Sequence, residues 1–554
     1  MDMSQRSRFN NWLFLALAVL YTLYAAVFIA KSSFVVEGQR YFALFDDSMI
    51  SMTYARNLAH GFGPVWNPGD LVEGYTNPLW VGFMALIHLV LPLPTRLMSL
   101  PIQISGWGCM VGLLWFVRKI AGALTDEHPI PVIMAVFLTA FYYPLTNWSL
   151  LGTEVSVLLL MVAAGVWLAI RMLREDHFLV GLYWLMGVST LVRFDMAVPY
   201  LVLTGFLFLF DGKRRKQHLL YGAGILILFL GGQTLLRRLY YHEWLPATYY
   251  LKMTGVPILE RITRGWVVTL AFLSGLKWFM VPLPFFALLF RKNRKENLLL
   301  VLIFLAQLTY SIYVGGDSWE HRGGSNRFVS LGMPEYLLLF SISMWCVMGF
   351  LLPLAIKWIP PLTKLWERAA GPAFILLCLV AGLYFNRLKN EGSLVGMLSR
   401  PANGGLRYVF LLERSIYTPG NERYVHDAVI IDQITTPQAR IAVVAAGCQP
   451  YFSGRYSIDL LGKSDMHIAR EPARLSYADD WINIQPGHIK WDYAWSIAQG
   501  KPDLVVELRK GTVVEGESYL TDYQKVTLNN HPMYLKKDSV NINWDAVQQL
   551  IVNP

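Results

Sequence analysis

The sequence predicts a polytopic α-helical membrane protein, with about 11–13 spans of roughly 20 residues each, that ends in a soluble α/β domain. Three observations predict it. First, 55% of the 554 residues are hydrophobic and mean hydropathy is +0.39, too apolar for an ordinary soluble chain. Second, the apolar residues form runs of near-spanning length, punctuated by short Lys/Arg clusters. Third, this pattern stops after Phe385: Asn386 to Gly405 is polar and glycine-containing, and the chain beyond Gly405 has the composition of a soluble domain. The expected division is 1–388 as the membrane domain, with 31–78 as its first outer loop, and 389–554 as an extracytoplasmic domain.

The net charge of +10 points to no nucleic-acid partner, because the basic residues lie in clusters typical of cytoplasmic loops. Of the four cysteines only Cys448 lies in the soluble tail, which excludes a disulfide within it. The first run, Asn11 to Ala30, comes after Arg6 and Arg8 and lacks a small-residue cleavage site, so it reads as a retained helix with its N-terminus inside. Further candidate spans are Leu79–Leu93, Pro101–Phe116, Pro129–Trp148, Val155–Met172, Phe178–Leu191, Ala197–Phe210, Leu219–Leu236, Trp266–Phe290, Asn297–Val314, Met333–Ile356 and Pro372–Phe385. Lys213 to Lys216, Arg291 to Lys295, and Lys357 with Lys364 and Arg368 should face the cytoplasm. That puts Tyr240 to Gly265, Gly315 to Arg327 and the tail outside. An N-in, C-out chain needs an odd number of spans, so one of these twelve candidates is re-entrant or divides in two. The conflict falls between Leu79 and Trp148, where Arg118 and Lys119 interrupt the pattern. In the tail, Arg440 to Gly447 and Asp503 to Val506 read as buried strands, and His426 to Ile434 as a helix.

The segment Phe45 to Trp80 carries the chemistry. Ile50, Tyr54 and Leu58 recur at helical spacing behind Asp46 and Asp47, and Gly61 stands where a left-handed C-cap belongs. Both carboxylates therefore open a helix, where the positive end of the dipole favours their ionised form. A carboxylate there can accept a proton or simply cap the helix. Asp46, which precedes the helix, is placed to point into a cavity, and Asp47 to cap the first turn.

Phe45-Asp46-Asp47-Ser48, Tyr54 to Leu58, Trp66-Asn67-Pro68-Gly69 and Val72 to Trp80 resemble the first periplasmic loop of GT-C-fold glycosyltransferases, especially the terminal arabinofuranosyltransferases of mycobacterial cell-wall synthesis. Gly315-Gly316-Asp317 with Arg322 and Arg327 resembles a second loop of the same enzymes. In the tail, Ala446 to Ser453, Ile458 to Asp465, Ile468 to Arg470 and Pro486-Gly487-His488 resemble their periplasmic domain. The resemblance implies an inverting transfer of a sugar, arabinofuranose or another pentose, from polyprenyl phosphate to a cell-envelope glycan or lipid, in the bacterial inner membrane with the site outside. Asp46 or Asp47 would be the base. Arg327, with Arg322 or Lys252, would hold the phosphate, since an arginine fork binds one through two hydrogen bonds. Glu73, Asn77, Glu154, Arg193, Asp195 and Asp317 would line the sugar and acceptor site. Plainer readings stand beside these: Glu154 as a dipole partner, Arg193 and Asp195 as a mutual pair, the basic loop residues as lipid head-group contacts, and Asp459 and Asp465 as turn caps.

No Walker-type glycine loop, HExxH, zinc-like Cys/His spacing or Gly-x-Ser-x-Gly occurs. No redox cofactor is expected. A divalent metal stays open, because paired carboxylates could bind one but no complete ligand set is visible. The alternatives are a hexose or aminoarabinose transferase acting on lipid A, protein or another glycan, a flippase, and a glycan-binding scaffold. A flippase should have related halves, and the two halves show no correspondence.

Overall fold

The computed structural model describes residues 2–276, 280–290, 292–320, 324–358, 362–386, 406–475 and 484–552, with backbone alone for 351–358, 362–371 and 552. The linker after Asn386, the domain boundary placed in it, and the Lys357, Lys364, Arg368 and Arg322 side chains therefore lie outside the described residues.

Six helices are long and apolar enough to cross a membrane: Met3–Ser32, Thr95–Leu124, Val155–Glu175, Gly212–Tyr241, Arg294–Val314 and Val329–Phe350. Pro129–Ala140 and Tyr143–Leu150 form a pair bent by 49°, a broken or re-entrant span. Four apolar helices are shorter, Pro78–Val90, Gly181–Val192, Phe194–Phe210 and Pro372–Phe385. The bent pair falls inside the stretch where the charge pattern conflicts with complete hairpins. Trp12, Leu15, Val19 and Leu23 on the first helix, and Leu220, Leu228 and Leu236 on Gly212–Tyr241, point outward, as lipid-facing residues do.

Ion pairs sort the ends of the bundle. Arg118 bonds Glu127 at 3.0 Å and the Ser7 carbonyl at 3.1 Å; Arg174 bonds Glu296 at 3.1 Å; Lys213 bonds Asp176 at 2.7 Å; Lys292 pairs with Asp126. The N-terminus and the basic clusters at 213–216 and 292–296 thus share one end, and Arg118, which interrupts the sequence pattern, belongs there. The opposite end carries the Asp46 loop, residues 242–257, the 315–320 segment and the carboxyl-terminal sheet. With cysteines introduced at the exposed positions Lys213 and Val540, impermeant thiol reagents should label them from opposite sides of the membrane; labelling of both from one side would overturn this arrangement.

At this opposite end, Asp46–Ala59 (α2) packs on Pro78–Val90 (α3), preceded by a two-stranded hairpin of Phe34–Val36 (β1) and Gln39–Tyr41 (β2). Gly61 is left-handed (φ +83°), as the sequence predicts for the end of α2. The predicted apolar face holds for Ile50 and Tyr54 but not for Leu58, which is 37% exposed. The reason is that α2 lies between α3 and the sheet domain, so its middle turns are buried all round and only its last turn emerges.

The sheet has five strands: Arg440–Val443 (β3), Tyr456–Asp459 (β4), Leu504–Val505 (β5), Tyr523–Leu528 (β6) and His531–Lys536 (β7), in the order β4-β3-β5-β7-β6. β4, β3 and β5 run parallel, and β7 and β6 are antiparallel. β3 and β5 fall where strands are predicted, and the predicted helix is longer, Thr418–Ile434 with Pro419 in its first turn. Met49, Met52 and Tyr54 of α2 share one hydrophobic core with Ile431, Ile441 and Val443. The free edge of β4 is covered by the first outer loop: Asn67 donates its amide N–H to the Ser457 carbonyl (2.9 Å), and its amide oxygen accepts from the Ser457 N–H (3.0 Å). One side chain thus makes the pair of bonds a neighbouring strand would make.

Candidate active site

The Phe45 N–H bonds the Leu151 carbonyl (2.9 Å), and the Asn421 amide bonds the Leu44 carbonyl (2.7 Å), which fixes the start of α2 between the bundle and the sheet domain. Neither carboxylate caps α2. Asp46 turns to the sheet domain and accepts from the Cys448 N–H (2.8 Å). A Cβ on Gly447 would lie 1.9 Å from the Asp46 carbonyl, so glycine is required for this approach. Burial pushes Asp46 above the ordinary carboxylate range, against the pull of the Cys448 amide. Asp47 turns the other way, accepting from Lys463 (2.6 Å), Arg327 (3.2 Å) and the Trp319 indole (3.2 Å). Burial opposes its charge, but Lys463, Arg327 and Lys252 outweigh it and hold Asp47 well below the usual range.

Arg327 is the hub. It clasps Asp317 with two bonds (2.7 and 2.6 Å), reaches Asp47 with a third, and lies over the rings of Phe45 and Trp148. Arg264 braces the glycine segment by donating to the carbonyls of Gly315 and Asp317. Gly316 is left-handed (φ +76°), and a Cβ there would meet Glu320, Val268 and Arg264 within 2.8 Å. Burial pushes Glu320 up to about 7, against the pull of Arg264 at 3.7 Å. His488, edge-on to Trp319, is pushed down to about 3 by burial and the Lys463 charge, so it is neutral.

Beside Arg327 opens a cavity of about 300 Å³ at the ends of the bundle helices nearest the sheet domain, the size of a small-ligand site. Four cations line it, Arg193, Arg237, Lys252 and Arg327, with three carboxylates, Glu154, Asp195 and Asp317; Glu73 behind Arg237 and Asp47 beside Arg327 add two more. Arg193 bonds Asp195 twice (2.6 and 2.9 Å) and Glu154 once (3.3 Å). Glu154 accepts from Asn77 (3.2 Å), which accepts from Ser51 (3.0 Å). Arg193 and Asp195 therefore do pair, and they do so within the cavity wall. Arg237 is held by Glu73, which is buried behind it. Lys252 alone of the four has no hydrogen bond or ion pair among the described residues, and burial together with Arg327 pulls its ammonium below the usual lysine value. Aromatic residues Phe194, Tyr249 and Tyr313 form an exposed lip.

Of the predicted site residues, Glu154, Arg193, Asp195, Lys252, Asp317 and Arg327 line this cavity. Asp47, Glu73 and Asn77 bond to its lining, and Asp46 faces the sheet domain. Sequence reasoning missed Arg237, Lys463 and Trp319. Arg237 carried a signal, an ionisable residue in the last turns of a helix that continues the apolar run Leu219–Leu236. Lys463 carried none, since only the fold brings it to Asp47. Among the described residues one group could hold a metal ion, His467, Glu471 and Asp492, and it is half-exposed and separate from the cavity.

Residues 416–546 match a family described as a domain of unknown function, DUF8728. No curated protein matches the chain. Among solved structures, ArnT from Cupriavidus metallidurans is similar in the apo state (TM-score 0.53, 13% identity, 94% of this chain and 97% of that one). It is similar also bound to undecaprenyl phosphate (TM-score 0.54, 12% identity, 95% and 99%). An Archaeoglobus fulgidus oligosaccharyltransferase tethered to an acceptor peptide through a disulfide bond is a third (TM-score 0.53, 12% identity, 96% and 74%). The fold is that of the GT-C membrane glycosyltransferases: a multi-pass helical bundle carrying a sheet domain at its carboxyl-terminal end.

Proposed function

We propose that the protein is an inverting glycosyltransferase that moves a sugar from a polyprenyl-phosphate donor to a cell-envelope glycan or lipid acceptor on the outer face of a bacterial membrane. The observation that carries this reading is Lys252, a partly buried cation without a hydrogen bond or ion pair among the described residues, in a cavity with an aromatic lip. A phosphate at the membrane surface supplies the missing counter-charge, and the lip suits an isoprenoid chain. The likeness to a structure that holds undecaprenyl phosphate supports the donor class. The resemblance of the first loop supports a pentose such as arabinofuranose.

In this reaction the acceptor hydroxyl oxygen attacks the anomeric carbon and its proton passes to one of the two carboxylates that open α2, Asp46 or Asp47. The bond from that carbon to the phosphate oxygen breaks, and polyprenyl phosphate leaves with the electron pair. Lys252 and Arg327 face the charge that develops on it. Asp47 and Asp317 set the position of Arg327. Asp46 is the better base because no cation lies within ion-pairing distance of it among the described residues, whereas Asp47 is bonded to two.

The test is turnover of synthetic polyprenyl-phosphate pentose and hexose by the purified protein, with mass spectrometry of surface glycans from cells with and without it. Expected are release of polyprenyl phosphate coupled to extension of an acceptor, and a missing terminal sugar in the deficient cells. Passage of intact sugar-lipid across a bilayer without cleavage of the anomeric bond would refute transfer and establish a flippase.

A further inference from the structure

The loop that sends Lys463 to Asp47 also lines a second cavity, of about 320 Å³, with Asp459, Ser464 and Asp465. Its other walls come from the first outer loop (Trp66, Asn67, Asp70) and from Arg440, Tyr456 and Trp495 of the sheet domain. We propose that this cavity is a binding site for a neutral, hydroxyl-rich glycan, and that it holds the acceptor one loop away from the reacting carboxylates. The acceptor role rests on the transferase reading; the binding itself does not.

The chemistry of the walls selects the ligand. Three carboxylates face one guanidinium, a net charge of −2, which disfavours phosphates and nucleotides. Each carboxylate is fixed by donors of the protein. Asp70 accepts from Asn67 (3.1 Å) and the Tyr456 hydroxyl (2.7 Å); Asp459 from the N–H groups of Leu461 (2.9 Å) and Ser464 (2.8 Å); Asp465 from the Ile468 N–H (3.0 Å) and the Trp495 indole (2.9 Å). An ionised carboxylate offers about four acceptor sites, so roughly two remain on each of the half-buried Asp70 and Asp465, placed for sugar hydroxyls, whereas Asp459 is buried and holds the turn. Arg440 covers the Tyr456 ring, while Trp495, exposed in this wall and stacked on His467 by one face, supplies a flat apolar surface beside these acceptors. Trp66 is only 4% exposed, and its indole N–H has no acceptor among the described residues.

The two cavities differ in kind. One carries a lysine unpaired among the described residues and an aromatic lip at the ends of the bundle helices; the other is polar, negative and borne by the sheet domain. Between them lies a short turn, with Lys463 Nζ 2.6 Å from Asp47 on one side and Asp465 on the other. A glycan seated in the second cavity thus lies within reach of the first.

The experiment uses the full-length protein in detergent. Saturation-transfer NMR and tryptophan fluorescence would measure binding of neutral arabinan and mannan oligosaccharides, with a phosphorylated oligosaccharide and Ca²⁺ alone as comparators. At least one neutral oligosaccharide should bind, and Trp495→Ala and Asp465→Asn should each weaken it about fivefold or more. Both should leave polyprenyl-phosphate affinity unchanged, and Lys252→Met should leave oligosaccharide affinity unchanged. No binding of either neutral oligosaccharide, equal binding by wild type and both variants, or preference for the phosphorylated probe or for Ca²⁺ would overturn the proposal. If neutral oligosaccharides bind here while no sugar is transferred, the glycan site stands and the transferase reading falls.

Discussion

Asp46→Asn is expected to abolish sugar transfer while leaving the protein folded and able to bind its donor. General-base catalysis is worth about two to four decades in rate, and the substitution removes the base without removing an ion pair. The amide oxygen of Asn can still accept from the Cys448 N–H, which is the one hydrogen bond the Asp46 side chain makes to the backbone, so the local structure has little reason to change. Asp47→Asn should behave differently. It leaves Lys463, itself buried, and one arm of Arg327 without their counter-charge, so it should lower thermal stability as well as rate. The measurement is single-turnover chemistry with a synthetic polyprenyl-phosphate sugar, beside thermal melts of both variants. Near wild-type turnover in Asp46→Asn would remove it from the role of base. Loss of chemistry in Asp47→Asn alone, with an unchanged melt, would pass that role to Asp47.

The donor phosphate is best probed at Lys252. Lys252→Met removes a charge that pairs with nothing among the described residues, so no buried carboxylate is stranded. The expected result is an unchanged or slightly raised melting temperature and donor affinity weakened about tenfold or more, since a charge-assisted contact is worth about 1.5–3 kcal/mol. Arg327→Ala strands Asp317 and leaves Asp47 to Lys463 alone, and breaking a buried pair in this way costs about 3–5 kcal/mol. It should therefore lose both fold stability and donor binding. Arg327→Lys should recover part of the stability, but not the clasp on Asp317, which needs a planar fork. Unchanged donor affinity in Lys252→Met would move the phosphate away from this cavity.

What could be read from the sequence was local or compositional. The bundle, the start of α2 behind Phe45, the turn at Gly61 and the strands β3 and β5 each rest on a run, a period or a glycine. The β1–β2 hairpin was not readable, because its turn places Glu37 at φ +47° ahead of Gly38, where Asn or Asp would have given the signal. The burial of α2 on all sides was equally hidden: a helix pressed between two layers keeps no single apolar stripe. Within the site, residue types on the outer loops marked six of the cavity's lining residues, but not their pairing. Lys463 reaches Asp47 across 416 positions, and no pattern in either segment announces it.

The Asn67 clamp on β4 has a consequence for inheritance and biosynthesis. The edge it covers belongs to the segment matched by the 416–546 family, yet the residue that covers it is made 390 positions earlier, before most of the bundle exists. The first loop must therefore wait, its α2 surface bare, until translation of residues 440–536 delivers its partner. The carboxyl-terminal segment is accordingly not a cassette that can be shuffled freely onto other bundles. A recombinant that takes the sheet without a loop bearing the matching Asn67 and α2 face would receive an open strand edge and half a core, so the two distant segments are bound to change together.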